Sequence, residues 1–219
     1  MKIISISGSG GKTTLMKKLA KMYSYKRVLI TTSTMIEVPS DVTDRIYTSI
    51  NDFKRHYVGE SGIYAITNKI KNNKFTALKE EEIYDLQRFF DLILIEADGS
   101  KKLPLKAWRS FEPVIYSNTY LTIGVMPIDL IGKDFDLDLI FNKDIFLDNY
   151  GQRDKFDVNL YADIVNDKDG LFKNATRKIL YMSKSDLIED YKRNEICKKL
   201  SSLTGLKVVY DIKDIDIND

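Results

Sequence analysis

Lys2-Ile3-Ile4-Ser5-Ile6-Ser7 runs into Gly8-Ser9-Gly10-Gly11-Lys12-Thr13-Thr14, and Leu15, Met16, Leu19 and Met22 follow at helical spacing. This stretch decides the fold: a β-rich apolar run, a glycine turn and an amphipathic helix in immediate succession. The glycines let the main chain bend with its N–H groups pointing inward, and they present no Cβ to a close anion. A helix starting near Thr13 adds the positive end of its dipole, equivalent to about half a charge. Lys12 is placed to reach β- and γ-phosphate oxygens, and the Thr13 hydroxyl to ligate Mg²⁺. The expectation is a nucleoside triphosphate site, for ATP or GTP, built from Gly8, Ser9, Gly10, Gly11, Lys12, Thr13 and Thr14. The spacing is shorter than GxxxxGK[ST], which would put a glycine at Ile6.

Outward from this loop, short β-rich runs alternate with amphipathic stretches. Expected strands are Lys2–Ser7, Arg27–Thr32, Ile63–Thr67, Leu92–Glu96, Thr119–Val125, Arg177–Met182 and Leu206–Tyr210. Expected helices are Thr13–Tyr23, Lys79–Phe89, Leu139–Asn149, Val158–Val165 and Leu187–Ser201. Strands that read as nearly continuous apolar runs suit burial on both faces. Their alternation with helices predicts an α/β fold of the P-loop NTPase type, a mostly parallel sheet with helices on both sides. Residues 37–78 break the rhythm; with Asn72-Asn73 as a turn, they predict a β-hairpin or flap on the same domain. The 219 residues carry 4 prolines and no Ser/Gly-rich linker, so residues 1–219 read as one domain.

Composition excludes several classes. With 34 Lys and Arg against 32 Asp and Glu, the net charge of +2 gives no electrostatic case for a nucleic-acid partner. Single Cys197 and single His56 can form neither an internal disulfide nor a Cys/His metal site. Apolar runs such as Leu92–Ile95 are far short of a membrane span. Ile3–Ile6 leads straight into glycines rather than into a signal-peptide layout, and a cytoplasmic location is expected.

A phosphate loop needs acidic oxygens on a neighbouring strand to share a metal ion with the phosphates. Leu92-Ile93-Leu94-Ile95-Glu96-Ala97-Asp98-Gly99 supplies them, with Glu96 and Asp98 two positions apart and so facing the same way. Lys12, Glu96 and Asp98 are the candidate catalytic residues, and Thr13, Glu96 and Asp98 the candidate metal ligands. Thr31-Thr32-Ser33-Thr34 ends another strand at the sheet edge where ligands of parallel sheets bind, making Ser33 and Thr34 candidate substrate contacts. Ser100, Lys101, Lys102 and Lys106, beyond Asp98-Gly99, are placed to hold an anionic second substrate, with Trp108 nearby as packing. Ser183-Lys184-Ser185-Asp186 partly matches the Asn/Thr-Lys-x-Asp motif of GTPases, so Asp186 is a base-reading candidate or the cap of a following helix. Cys197 reads as an inert helical thiol and His56 as a surface residue.

The short loop resembles the Gly-Thr-Asn-Gly-Lys-Thr loop of the Mur peptide ligases. A fuller resemblance covers nearly the whole chain. Gly8–Met16, Thr31–Met35, Glu96–Lys106 (Glu-Ala-Asp-Gly-Ser-Lys-Lys-Leu-Pro-Leu-Lys), Glu112–Ile115 and Gly170–Ala175 are similar to segments of the selenium-dependent hydroxylase accessory proteins, the YqeC-like family of selenium cofactor biosynthesis. Two positions depart from the family pattern: Phe141-Asn142 stands in place of a His-Arg pair, and Ser183-Lys184 in place of Asn-Lys or Asn-Gln. The resemblance implies a helper in supplying selenium to molybdenum hydroxylases, with selenium or molybdenum-cofactor maturation proteins and a molybdenum hydroxylase as partners. From the residues themselves the leading expectation is a Mg²⁺-dependent nucleoside triphosphatase. A phosphoryl-transfer enzyme of the kinase or Mur-ligase kind, and a nucleotide-gated carrier with incidental hydrolysis, stay open beside it.

Overall fold

β1 (Lys2–Gly8) lies near the middle of a wholly parallel sheet, and α1 (Lys12–Met22) leaves its carboxyl end after only three intervening residues. The computed structural model describes residues 1–72 and 74–217. In chain order there follow β2 (Arg27–Thr32), β3 (Met35–Glu37), β4 (Arg45–Tyr47), α2 (Ile50–His56), β5 (Gly62–Ile66), β6 (Ile70–Lys71), β7 (Lys74–Thr76) and α3 (Glu80–Leu86). The second half contains β8 (Leu92–Glu96), β9 (Leu105–Lys106), β10 (Leu121–Pro127), β11 (Ile140–Phe141), α4 (Lys143–Tyr150), α5 (Val158–Asn166), β12 (Lys178–Ser183), α6 (Asp190–Thr204) and β13 (Lys207–Val209). Eight strands form the main sheet in the order β13-β12-β10-β1-β8-β2-β5-β4. This is the α/β architecture with helices on both faces that the alternating pattern predicts.

Strand periodicity sorts the side chains. On one face Ile4 and Ile6 of β1, Val28 and Ile30 of β2, and Leu92 and Leu94 of β8 pack against Leu15, Met16, Leu19 and Ala20 of α1. On the other, Leu29, Ile93 and Ile95 join Phe53 of α2 and Ile83 and Leu86 of α3. Further along that face, Leu180 and Met182 of β12 meet α5 and α6 through Leu160, Ile164, Ile196 and Leu200. Burial on both sides explains why the central strands read as apolar runs instead of alternating.

Residues 37–78 are more than the expected flap. Beside β5, the strand expected at 63–67, they supply β4, which extends the main sheet further, and α2, which covers it through fully buried Phe53. Seven-residue α2 carries one buried apolar residue, too weak a periodicity to read from sequence. Only β6 and β7 form the hairpin, with Ile70 opposite Phe75 and Lys71 opposite Lys74; β3 pairs with β7 to complete a small antiparallel sheet. Asn72 at its turn has φ 50°, while Asn73 lies outside the described residues. The helix expected from Leu139 starts at Lys143, and the one expected from Leu187 starts at Asp190 after a 3₁₀ turn over 185–187.

One contact ties this frame to the loop. Ser7 Oγ donates to the Leu171 carbonyl at 2.8 Å, and Leu171 and Phe172 lie over Gly124 of β10. A Cβ at Gly124 would come 2.5 Å from Phe172 Cζ and 2.8 Å from Leu171 Cδ2. Overpacking of this kind costs about 1–3 kcal/mol. Gly124→Ala is therefore expected to lower the urea midpoint with an unchanged slope; an unmoved midpoint would show that the 171–172 segment is not packed as described.

Candidate functional site

Register at the carboxyl edge brings the site together. Ile6 pairs with Glu96, which sets Gly8 level with Asp98; Gly8 pairs with Val125, Pro127 with Ser183, and Thr32 with Glu96. Gly8 has φ 101°, and a Cβ there would sit 2.2 Å from the Val125 carbonyl oxygen, so the strand can end in this bend only with glycine. Gly11 has φ 151° and caps α1 with no side-chain hydrogen bond to the first turn. The amides that open α1 therefore have no side-chain acceptor of their own. The loop is braced from three sides. Ser9 Oγ donates to the Pro104 carbonyl (2.9 Å), Ser9 N–H to the Val125 carbonyl (3.0 Å), and Ser183 Oγ to the Gly10 carbonyl (2.7 Å).

Within this frame Lys12 is 4% exposed. Its Nζ donates to the Gly8 carbonyl at 2.6 Å and lies 3.2 Å from Asp98 Oδ1 and 3.8 Å from Glu96 Oε1. Burial opposes the charge, but Asp98 and then Glu96 outweigh it and hold the ammonium above the ordinary lysine range. Asp98 has no solvent exposure. It accepts from Gly8 N–H on both oxygens (3.1 and 3.0 Å) and from the Trp108 indole N–H on Oδ2 (2.6 Å). Lys106 Nζ stands 3.4 Å from Oδ2. Burial works against this carboxylate as well, yet Lys12, Lys106, the Gly8 amide and Trp108 keep it below the usual range.

Glu96 is placed differently. Thr13 Oγ1 donates to its Oε2 at 2.9 Å, and burial pushes its carboxyl above the ordinary range against the pull of Lys12 and Thr13. Leu92, Leu94 and Glu96 share the α1 face of β8, which aims Glu96 at the first turn of that helix. Thr13 is half-buried and Thr14 exposed. Among the described residues no group of three or more His, Cys, Asp or Glu side chains forms a metal cage. Any cation held here would take Thr13 and Glu96 together with a ligand's own oxygens.

Other expected contacts divide by which way they face. Thr32 Oγ1 donates to the Glu96 carbonyl (2.9 Å) and accepts from Thr34 N–H (2.9 Å), so Thr32 and Thr34 stand beside Glu96. Ser33 points to the opposite face, where its hydroxyl donates to the Val114 carbonyl at 2.7 Å. Lys106 is no surface cation: fully enclosed, it donates to the Gly99 carbonyl (2.8 Å) and to Glu112 Oε2 (3.3 Å). Ser100 is half-buried, whereas Lys101 and Lys102 are exposed on the turn that follows. Trp108, expected as packing, is also a hydrogen-bond donor to the site, and Glu112 enters it through Lys106; neither carries a sequence signal of its own.

Ser183, where a GTPase motif has Asn or Thr, spends its hydroxyl on the carbonyl of Gly10 in the glycine loop. Asp186 is exposed in the 185–187 turn and does not cap α6, whose N-cap is Glu189. Lys184 Nζ is 3.5 Å from Asp129 Oδ1. Cys197 is buried, and burial pushes its thiol up to about 11, the inert state expected of it; His56 is exposed and pairs with Asp52 at 3.0 Å. No described helix is long and apolar enough to cross a membrane.

Backbone amides at a helix start, one buried ammonium and the oxygens of Thr13 and Glu96 thus meet at one point of the carboxyl edge. Against known proteins, the family model described as YqeC protein matches residues 4–144. The stretch includes the loop, both acids and the basic turn. A relative in Escherichia coli (strain K12), the uncharacterized protein YqeC, is 32% identical over 181 residues, covering 79% of this chain and 71% of its own. No solved structure matches the chain significantly. By the family match and this relative together, the chain belongs to the YqeC family.

Proposed function

We propose that this chain binds ATP or GTP with Mg²⁺ at the Gly8–Thr14 loop and hydrolyses it. The observation that carries the reading is the uncapped start of α1 directly behind the glycine bend, with Lys12, Thr13 and Glu96 converging on the same point. Phosphate oxygens are the acceptors those amides lack. Lys12 is held by Asp98 and the Gly8 carbonyl, so a triphosphate takes over an ammonium already placed and desolvated. Asp98 keeps Lys106, Trp108 and Gly8 N–H as partners when Lys12 turns to the phosphates.

Thr13 and Glu96 fit Mg²⁺: they are hard oxygen donors 2.9 Å apart at the mouth of the loop. Asp98, with both oxygens already taken by N–H groups, is a positioning residue and not a direct ligand in this reading. When bound, Mg²⁺ neutralises charge on the β- and γ-phosphate oxygens. In hydrolysis a water oxygen bonds to the γ-phosphorus as the bridging P–O bond breaks. The electron pair stays on the β-phosphate oxygen, and the protons of the water leave with inorganic phosphate and to solvent. Lys12 and the loop amides stabilise the charge that gathers on the phosphoryl group as this happens.

The coupled task, helping selenium reach a molybdenum hydroxylase through partner maturation proteins in the cytoplasm, rests on the family resemblance of Glu96–Lys106 and the other matching segments. Asp186, in the turn that follows Ser183, is the candidate for reading the base in this scheme.

Lys12→Ala is expected to abolish binding of both ATP and GTP in a calorimetric titration while the circular dichroism spectrum of the fold is retained. Equal binding by wild type and variant would remove the site. Glu96→Gln is expected to uncouple nucleotide from metal. Chelating Mg²⁺ should weaken triphosphate binding to wild type by about tenfold or more, a loss of roughly 1.4 kcal/mol, and should change the variant little. A variant as sensitive to chelation as wild type would exclude Glu96 as a ligand.

A further inference from the structure

Three of the cations that follow Asp98-Gly99 have settled places. Lys106 is enclosed by Asp98, Gly99 and Glu112. Lys101 Nζ and the Arg109 guanidinium lie by the Phe141 ring, 5.3 and 5.9 Å from its centroid. Lys102 is the exception, with a side chain 81% exposed whose Nζ is 2.7 Å from Glu37 Oε1. Glu37 is itself 60% exposed, and pairs of this kind part readily because water solvates both members well.

The backbone beneath Lys102 is unusual. Leu103 N–H donates to the Ser100 carbonyl at 2.9 Å, closing a turn whose two central residues are Lys101 (φ 49°) and Lys102 (φ 67°). Turns of this hand favour Asn and Gly, since a Cβ is crowded in the left-handed region. Two lysines occupy it here, in a conformation that the side chains make more costly. Strain of this sort collects where the side chain is needed at that spot.

Where Lys102 stands is fixed by its partner. Glu37 ends β3, three residues after Thr34, and Lys102 stands two residues before Pro104, whose carbonyl accepts from Ser9 Oγ of the loop at 2.9 Å. The Lys102–Glu37 pair thus joins the 100–104 segment, which braces the loop through Ser9, to the chain just past Thr34, and the space they flank lies at the carboxyl ends of β8 and β2. In the nucleotide reading above, on which this inference rests, that space receives the terminal phosphate. We propose that Lys102 is a mobile catalytic cation that leaves Glu37 and lies against the γ-phosphoryl group of the bound triphosphate. There it stabilises the charge that develops as the β–γ bond breaks. A nucleoside diphosphate offers no such partner, and with it Lys102 stays on Glu37.

The test is the ratio of affinities for a non-hydrolysable triphosphate analogue and the matching diphosphate, measured with Mg²⁺ for wild type, Lys102→Met and Lys102→Arg. Lys102→Met is expected to weaken the triphosphate about tenfold and to leave the diphosphate within about twofold, the size of one lost charge-assisted contact. Lys102→Arg is expected to restore most of the difference. Equal loss for both nucleotides, or no loss for either, overturns the role of Lys102 while wild-type binding keeps the nucleotide site. A wild-type chain that binds neither nucleotide overturns the site itself, and this proposal with it.

Discussion

Asp98 carries its negative charge without contact with solvent, and the surroundings of the Gly8–Thr14 loop are arranged about that fact. A carboxylate in such a place is strongly unfavourable unless donors enclose it. Here the Gly8 amide, the Trp108 indole and the ammonium groups of Lys12 and Lys106 do so. Each donor belongs to a segment the site requires: the end of β1, the start of α1, and the 99–112 loop. One buried charge thereby fastens three pieces of chain. The same enclosure explains why Lys106 is fully buried in a stretch whose other cations are exposed.

Parallel pairing turns this enclosure into a directed site. Because β8 lies beside β1 in register, Gly8 and Asp98 arrive level at the same edge, and Glu96 falls one alternation earlier on the α1 side. The two acids differ in environment in consequence. Asp98 is ringed by N–H donors and held below the usual carboxylate range, whereas Glu96 has the Thr13 hydroxyl and the more distant Lys12 ammonium, and burial raises its carboxyl. The opposite displacements of the two carboxyl groups follow from these different surroundings. One braces the loop, and the other, in the proposed reading, is the oxygen donor left for a metal ion.

The sheet and the loop were legible because their signals are local. The apolar runs of β1, β2 and β8, and the glycines ahead of Lys12, state their own geometry. Side-chain facing was legible in part. The rule of two that pairs Glu96 with Asp98 also pairs Thr32 with Thr34 and turns Ser33 to the other face, toward the Val114 carbonyl. Lys106 and Trp108 could not be read in the same way. Their burial depends on Asp98 and Glu112, contacts that only the folded loop creates, and a lysine in a basic run carries no mark of being enclosed. Helix α2 has no signature in the sequence because seven residues with one apolar anchor give no period, and its Phe53 docks on Tyr47 of β4 and Tyr64 of β5. Ser183 shows the same limit at a motif: the departure from Asn or Thr was visible, but its hydrogen bond to the Gly10 carbonyl was not.

Trp108 is the single indole of the chain, and its N–H is bound to the carboxylate that also holds the phosphate-loop lysine. Indole emission depends on the field along the ring, and a change in the charge balance around Asp98 alters that field directly. The protein therefore contains its own optical probe, unlabelled and undiluted by other tryptophans, at the junction where occupancy of the loop would first be felt.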